Sequence, residues 1–478
     1  MQVPVLPSSV TAHAVPPSPR GRLFYALAAA AVVVATAAAV VGVHQTVVAT
    51  AAEQNEQNDD PAAVTAPTIV THIKYLHITY CEQLFGPLIP RYSPGKFLCK
   101  EYMICVILEI LPVEGGGVVQ NFSCKTRIVT GENALDALKN LGIRRLFLVT
   151  DPYFFGNGTA QRIGTLTGAE GTEIFSEIAP DPDVELVAKC TARLKEFQPD
   201  TVIALGGGSA IDCAKATVHF SGKQVRLVAI PTTSGSGSEV TDFAVVTHSK
   251  VKHPLVDETL RPDVAILDSS LLQSLPKGLI ADTGFDVLSH ALEAYTATNA
   301  GTFSDALAKE SFCVAYANLP ASYCGNTRVR GAMHEAATMA GLAFTQAGLG
   351  LCHAMAHALG GVFHLPHGRL NAILLPAVIG CNAHICAPKY AKLARAAGIA
   401  GAADTVAVRN LCNALRRLRR ELQLPQTLKE AGIDPRQVWH HQKEIVAAVL
   451  QDPCCKTNPM PVEDFMVRRI LEEVTGRV

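Results

Sequence analysis

What this 478-residue chain lacks narrows its function first. It carries almost no net charge, −1 from 41 basic and 42 acidic residues. Without a basic field or an acidic tail, nothing in it recruits nucleic acid. Fourteen cysteines are scattered, with no CxxC pair and no regular spacing. At this length that excludes a disulfide framework and points to buried thiols in a reducing compartment. Several common signatures are also missing. No GxSxG elbow joins a strand to a helix, no Walker A run occurs, and GxGxxG is absent. Those absences argue against a Ser-His-Asp hydrolase, a P-loop NTPase and the ordinary dinucleotide fingerprint.

What is present is apolar: 49% hydrophobic and 17% charged residues, enough for two or more domains with a large core. Near the N-terminus, Arg20 and Arg22 precede residues 23–43, twenty-one positions without a charge. That length permits a membrane span with its N-terminus inside. Ala49-Thr50-Ala51 also permits a cleaved signal peptide, and an extension outside the working protein is the third reading. Residues 54–70 are polar and read as linker. Residues 71–120 show no clear period.

From residue 121 apolar runs alternate with amphipathic ones. Strands are expected at 124–130, 145–150, 172–178, 201–205, 226–230 and 264–267. Short helices are expected at 132–141 and 183–197, the latter with Val184, Leu186, Val187 and Leu194 inward, and another follows Ser209 through Ala216. Such alternation predicts an open parallel sheet covered on both faces. From Lys277 onward the pattern is helical. The expected architecture is therefore an N-terminal extension (1–120), an α/β domain (121–276) and an all-α domain (277–478).

Two Gly/Ser/Thr loops leave strand ends on one edge of that sheet. They are Gly206-Gly207-Gly208-Ser209 and the run from Thr232 to Ser238. Glycines there let a backbone approach a ligand, and a helix N-terminus offers N–H groups to phosphate. Asp151 stands at another strand end, where a carboxylate can accept from a ribose 2′-OH and repel a 2′-phosphate, or simply start a turn.

The histidines are the sharpest signal. His353, His357, His364 and His367 fall within fifteen residues, and Asp286 and His290 stand at i, i+4 upstream. An Asp and a His one turn apart share a helix face, as do His353 and His357. A mixed carboxylate and imidazole set suits Fe(II) or Zn(II) rather than Ca or Mg.

Five segments carry a family resemblance: GGGSAIDCAKA, PTTSGSGSEVT, KHPLVDETLRPDVAILD, TGFDVLSHALEAY and GLGLCHAMAHALGGVFHLPHGRLNAILLP. Together they resemble the iron-containing (group III) alcohol dehydrogenases, over about three quarters of the chain. FSEIAPDPDVELV and DPCCKTNPMP point to the branch acting on 1-propanol in propanediol utilisation, with the ethanolamine-pathway branch similar. The resemblance implies a dehydroquinate synthase-like fold, with Asp286, His290, His353 and His367 as ligands of Fe(II), Zn(II) being the alternative. It leaves His357 beside the metal for binding or proton relay and His364 as structural. Gly207, Gly208 and Ser209 match the pyrophosphate loop, and Thr232, Thr233 and Thr241 the nicotinamide side. Lys252 matches a lysine reaching the cofactor, and Asp151 the acid at the adenosine ribose of NAD(H).

The implied activity is NAD-dependent interconversion of short-chain aldehydes and primary alcohols, propanal to 1-propanol foremost, by a cytoplasmic homodimer or larger assembly. Microcompartment association belongs to that branch, although nothing in 1–120 resembles its short targeting helices. Membrane contact is expected only through 23–43. A related lyase of the dehydroquinate synthase type is the alternative, disfavoured by the apolar lining expected from Ala358, Phe363 and Leu365.

Overall fold

The computed structural model describes residues 122–248 and 251–476. The expected extension, its apolar segment 23–43 and its linker lie outside the described residues. The described chain belongs to one unit, Gly116–Val478.

The first half is a six-stranded sheet in the order β1-β8-β5-β4-β2-β3, with every described pairing parallel. The strands are β1 (Arg127–Gly131), β2 (Arg145–Thr150), β3 (Gly171–Phe175), β4 (Thr201–Gly206), β5 (Arg226–Pro231) and β8 (Val264–Asp268). Helices α1 (Pro152–Gly156), α2 (Thr159–Thr167), α3 (Val184–Phe197) and α4 (Gly208–Ser221) connect them. The central strands are apolar on both faces because both are covered. Phe147, Val149, Val202 and Ala204 enter one core, and Leu146, Leu148, Ile203 and Leu205 enter the other.

The structure departs from expectation in four places. Strand β1 starts three residues later than expected, and the segment after it forms a 3₁₀ turn, Ala134–Asn140, rather than an α-helix. Strand β3 stops at Phe175. Val184 is exposed, and Cys190 and Thr191 take the inner face of α3 instead. An antiparallel hairpin, β6 (Phe243–His248) with β7 (Val251–Val256), was not foreseen. Its FAVVT run is β-branched, but no Asn-Gly or Asp-Gly marks the turn.

The second half is helical: α5 (Lys277–Thr296), α6 (Thr302–Tyr323), α7 (Arg330–Ala347), α8 (Leu351–Phe363), α9 (His367–Ala396), α10 (Asp404–Glu421), α11 (Pro435–His440), α12 (Gln442–Gln451) and α13 (Asp464–Thr475). These helices share one large core. Helix α9 is long and apolar enough to cross a membrane by composition, but two thirds of its apolar window is buried inside this bundle, so it reads as a core helix.

The two halves meet at the sheet's C-terminal edge. Gly235 packs against Thr283 of α5, and a Cβ on Gly237 would fall 2.7 Å from the Gly341 backbone of α7. Ser234 Oγ lies 3.0 Å from His334 Nδ1. The loop after β5 is thus the seam between sheet and bundle.

Candidate metal and nucleotide site

Helices α5, α8 and α9 converge on one pocket. Asp286 and His290 lie on α5, His353 on α8, and His367 opens α9. Gly368 makes the approach possible, since a Cβ there would sit 2.0 Å from the Asp282 carbonyl of α5. Any side chain would push the start of α9, and His367 with it, off α5.

Around Asp286 Oδ1 stand three imidazole nitrogens. His367 Nε2 lies at 3.6 Å, His353 Nε2 at 3.8 Å and His290 Nε2 at 4.0 Å. Metal–ligand bonds of about 2.0–2.2 Å place neighbouring donor atoms roughly 3.3–3.5 Å apart. Donors of Asp286, His353 and His367 lie within 4.8 Å of one another, while His290 approaches only the Asp286 carboxylate and would have to move further to complete the set. His290 Nδ1 is buried with no hydrogen-bond partner among the described residues. With Nε2 presented as the ligand atom, Nδ1 carries the ring proton and has no acceptor, so the case for a cation rests on the chemistry of the donor set. The donors present fit a divalent cation of intermediate softness.

The electrostatics agree. Burial opposes ionisation of Asp286, but the surrounding imidazoles outweigh it and hold the carboxyl far below its usual range. Burial pushes His290 down to about 4, which keeps it neutral and able to ligate. For His353 burial also disfavours charge, yet hydrogen bonding to Asp286 and Glu293 wins and lifts it to about 9.

Glu293 was missed by sequence reasoning, although it continues the Asp286/His290 face at i+7 of α5. Its carboxylate accepts from the N–H groups of Gly350 at 3.0 Å and Cys352 at 2.7 Å, and pairs with His353 Nδ1 at 2.6 Å. It therefore caps α8 and fixes the ring that presents Nε2 to the pocket. Asn371 was also missed. One turn beyond His367 on α9, its amide donates to Asp286 Oδ1 at 2.8 Å and faces His367 Nε2 at 3.1 Å.

His357 stands outside the four. Its ring centroid is 5.2 Å from that of His367, it is partly exposed, and its Nδ1 lies 2.8 Å from Asp452 Oδ2. His364 ends α8 in the left-handed conformation, a structural place.

The nucleotide residues line the sheet edge. Leu205 pairs with Thr150, and Gly206 pairs with Pro231. Asp151, the GGGS loop and the Thr232–Thr233 pair consequently leave adjacent strands. The chain runs from β2 to β3 on one side and from β4 to β5 on the other, which makes this the switch point where open sheets bind ligands. Gly206 has φ +153° and Gly207 caps α4. A Cβ on Gly207 would meet Thr233 Oγ1 at 3.3 Å, and one on Gly208 would meet Ser236 Oγ at 3.1 Å. The two loops therefore face each other across a cradle with the α4 N–H groups at its base.

Three expectations fare differently here. Asp151 is beside the cradle, but its Oδ1 also accepts from the Phe154 N–H and caps α1. Lys252 pairs with Asp181 at 2.6 Å, and the Asp181 N–H approaches Ser209 Oγ at 3.4 Å, so the lysine reaches the rim through an intermediary. Thr241 is buried, as is Thr232, and Lys215 Nζ donates to the Thr241 hydroxyl at 2.9 Å. Lys215, sunk in the core, draws on every oxygen within reach, and the carbonyls of Thr241 and Phe243 complete its shell, so Thr241 anchors the loop.

A glycine-loop edge on a parallel sheet, together with a carboxylate–trihistidine cluster in a helical bundle, is the arrangement expected of a metal-dependent dehydrogenase. Family models described as "Iron-containing alcohol dehydrogenase" and "Fe-containing alcohol dehydrogenase family, C-terminal" match residues 125–269 and 280–475. The chain is 40% identical to the 1-propanol dehydrogenase PduQ of Citrobacter freundii over 370 residues, 74% of this chain and 100% of that protein. It is 37% identical to the NADPH-dependent butanol dehydrogenase of Clostridium saccharobutylicum, covering 74% and 97%. Among solved structures, a 1,3-propanediol oxidoreductase superposes with TM-score 0.70 at 29% identity, covering 74% of this chain and all of that one. The sulfoacetaldehyde reductase of Bifidobacterium kashiwanohense in complex with NAD+ gives 0.68 at 27%, covering 75% and 99%. The chain belongs to the iron-containing alcohol dehydrogenase family and is an alcohol dehydrogenase.

Proposed function

We propose that this enzyme reduces short-chain aldehydes to primary alcohols with NADH, propanal to 1-propanol foremost. Asp286, His290, His353 and His367 would hold Fe(II), with Zn(II) the competing occupant. The observation that carries the reading is the three imidazole nitrogens within 4.0 Å of one carboxylate oxygen. A cation there supplies Lewis acidity to a carbonyl oxygen, and NADH supplies the hydride. The likeness to the PduQ protein supports the substrate.

The chain's own residues do the rest. Glu293 orients His353. Gly207, Gly208 and Ser209 at the start of α4 would receive the pyrophosphate, with Thr232 and Thr233 opposite. Phe344 stacks on His290, its centroid 4.5 Å away, and reaches Phe243 at 5.8 Å. This apolar wall excludes water from the side of the pocket facing the hairpin. His357, its Nδ1 held by Asp452, is placed to exchange a proton with the alcohol oxygen.

The relatives named above are dehydrogenases and reductases, which favours this chemistry over a lyase. NADH and Fe(II) are cytosolic resources, so we place the enzyme in the cytoplasm as a homodimer or larger. A chain beginning near Gln120 should keep the activity, because the family match begins at residue 125. The direct test is NADH oxidation across a series of aldehydes, with metal content measured in parallel. Turnover of propanal no better than of hexanal would overturn the substrate; full turnover after metal removal would overturn the site.

A further inference from the structure

A second group of metal-ligating atoms lies outside the four-residue pocket. His357 follows His353 by one turn of α8. Against it packs the segment after α12, where Asp452 precedes a 3₁₀ turn, Pro453–Thr457. Asp452 Oδ1 accepts from the Cys454 N–H at 2.8 Å, while Oδ2 lies 2.8 Å from His357 Nδ1. The carboxylate is therefore oriented by its own backbone and shared with the imidazole. One donor atom each from His357, Asp452 and Cys454 lies within 4.8 Å of the other two. The vicinal thiol is turned away, since Cys455 Sγ donates to the Val449 carbonyl at 3.0 Å.

We propose that His357, Asp452 and Cys454 form a second cation site, one for Zn(II) or another thiophilic divalent ion. Imidazole, carboxylate and thiolate form a borderline-soft set that Ca and Mg do not select. Three protein ligands leave a fourth tetrahedral position open to solvent on the exposed side of His357. Two ligands of one cation stand roughly 3.3–3.5 Å apart, so the 2.8 Å His357–Asp452 contact would have to open while Cys454 closes in, movement that the half-exposed imidazole can supply. The Cys454 proton is displaced by the metal on binding.

The site's place gives it a consequence. The His357 ring lies 5.2 Å from His367 and 6.3 Å from His353, centroid to centroid. An ion held there takes His357 from Asp452 and adds positive charge beside the substrate pocket. Excess zinc therefore inhibits through this site while the four-residue pocket stays filled. That consequence rests on the dehydrogenase reading; the site itself rests only on the donors.

The test uses the full chain with its resident metal and Co(II) as the probe. Thiolate ligation gives a near-ultraviolet charge-transfer band, and bound metal is counted by mass spectrometry after desalting. The unmodified protein should gain a second equivalent together with the band. Cys454→Ser should lose both, Cys455→Ser should keep both, and the near-isosteric Asp452→Asn should weaken Co(II) binding about tenfold or more. Asp286→Ala should lose the first equivalent yet keep the band, which separates failure of this site from failure of the four-residue pocket. Zinc inhibition of Cys454→Ser should need about tenfold more metal. No band at saturating Co(II), or a band that survives Cys454→Ser, overturns the proposal.

Discussion

The pocket in the helical bundle and the cradle on the sheet edge are built by opposite means. The pocket is made of side chains: three helices deliver Asp286, His290, His353 and His367, and further side chains, Glu293 and Asn371, hold them. The cradle is made of backbone: a glycine at φ +153°, the N-terminus of α4, and loops whose close approach would crowd a Cβ. Its expected side-chain contacts are mostly spoken for elsewhere, Asp151 by α1 and Thr241 by Lys215. A side-chain site should fail abruptly when one group is removed. A backbone site should shift by degrees.

The comparison is most easily broken at the pocket. Replacing Asp286 or His353 by Ala should strip the metal and lower kcat by roughly a thousandfold, the scale of losing a group that stabilises charge in the transition state. Metal content and propanal turnover should fall together. A His353→Ala enzyme that keeps both would show that the cluster is a packed core and not a ligand set.

Glu293→Gln tests how far the pocket depends on its outer contacts. Glu293 accepts from the Gly350 N–H through Oε2 and from the Cys352 N–H through Oε1, so Gln, with one amide oxygen, keeps only one of these two caps of α8. It also loses the anionic partner of His353 Nδ1. The expected cost is about 10–100-fold in metal affinity, with a smaller effect on NADH binding. An equal loss in both would mean that Glu293 supports the whole fold rather than one imidazole.

Acidity probes the same pair more gently. In the metal-free protein His353 keeps its proton up to about 9, and that proton must leave before Nε2 can bind a cation. Apparent metal affinity should therefore rise by up to about tenfold per pH unit toward 9 and then level off. The stability of the metal-free fold runs the other way. A raised imidazole contributes fully below its ordinary 6.5 and loses that contribution as pH rises through 9. Calorimetric metal titrations and thermal melts of the stripped protein, from pH 6.5 to 9.5, read both slopes. A flat affinity profile would show that His353 is already neutral.

How much was legible follows from the same contrast. The Asp286/His290 pair and the cluster of histidines from 353 to 367 were readable because helical spacing and residue chemistry both survive in one dimension; the choice of His353 and His367 over His357 rested on the family resemblance. Glu293 was equally regular at i+7 but looked like one more helix-surface acid; only the α8 N-terminus, 57 residues later in the chain, gives it a role. Asp452 is further still, 95 residues from His357. The strands β2, β4, β5 and β8 were legible as unbroken apolar runs, buried on both faces. The β6–β7 hairpin was not, because its turn carries no diagnostic pair. The anchoring contact of Thr241 was not legible, because the sequence does not say that Lys215 lies beside it.

The smallest expected effect falls on the cradle. Asp151 stands at the switch point, where a structural role competes with the functional one. Its Oδ1 caps α1 through the Phe154 N–H, while Oδ2 points toward Gly206, 3.7 Å from where a Cβ there would stand. Asp151→Gly removes the charge, and at an N-cap glycine costs only a few tenths of a kcal/mol relative to the best caps, so α1 should survive. If Oδ2 meets the adenosine ribose, the preference for NADH over NADPH should fall by about tenfold, through KM for NADPH rather than kcat. If the residue is only a cap, the ratio should stay put while thermal stability drops slightly. The comparison with the NADPH-dependent butanol dehydrogenase sharpens the outcome, since that relative shows that a protein 37% identical to this chain uses the phosphorylated cofactor. An unmodified enzyme that already prefers NADPH would remove Asp151 from the ribose and leave the cradle as backbone alone.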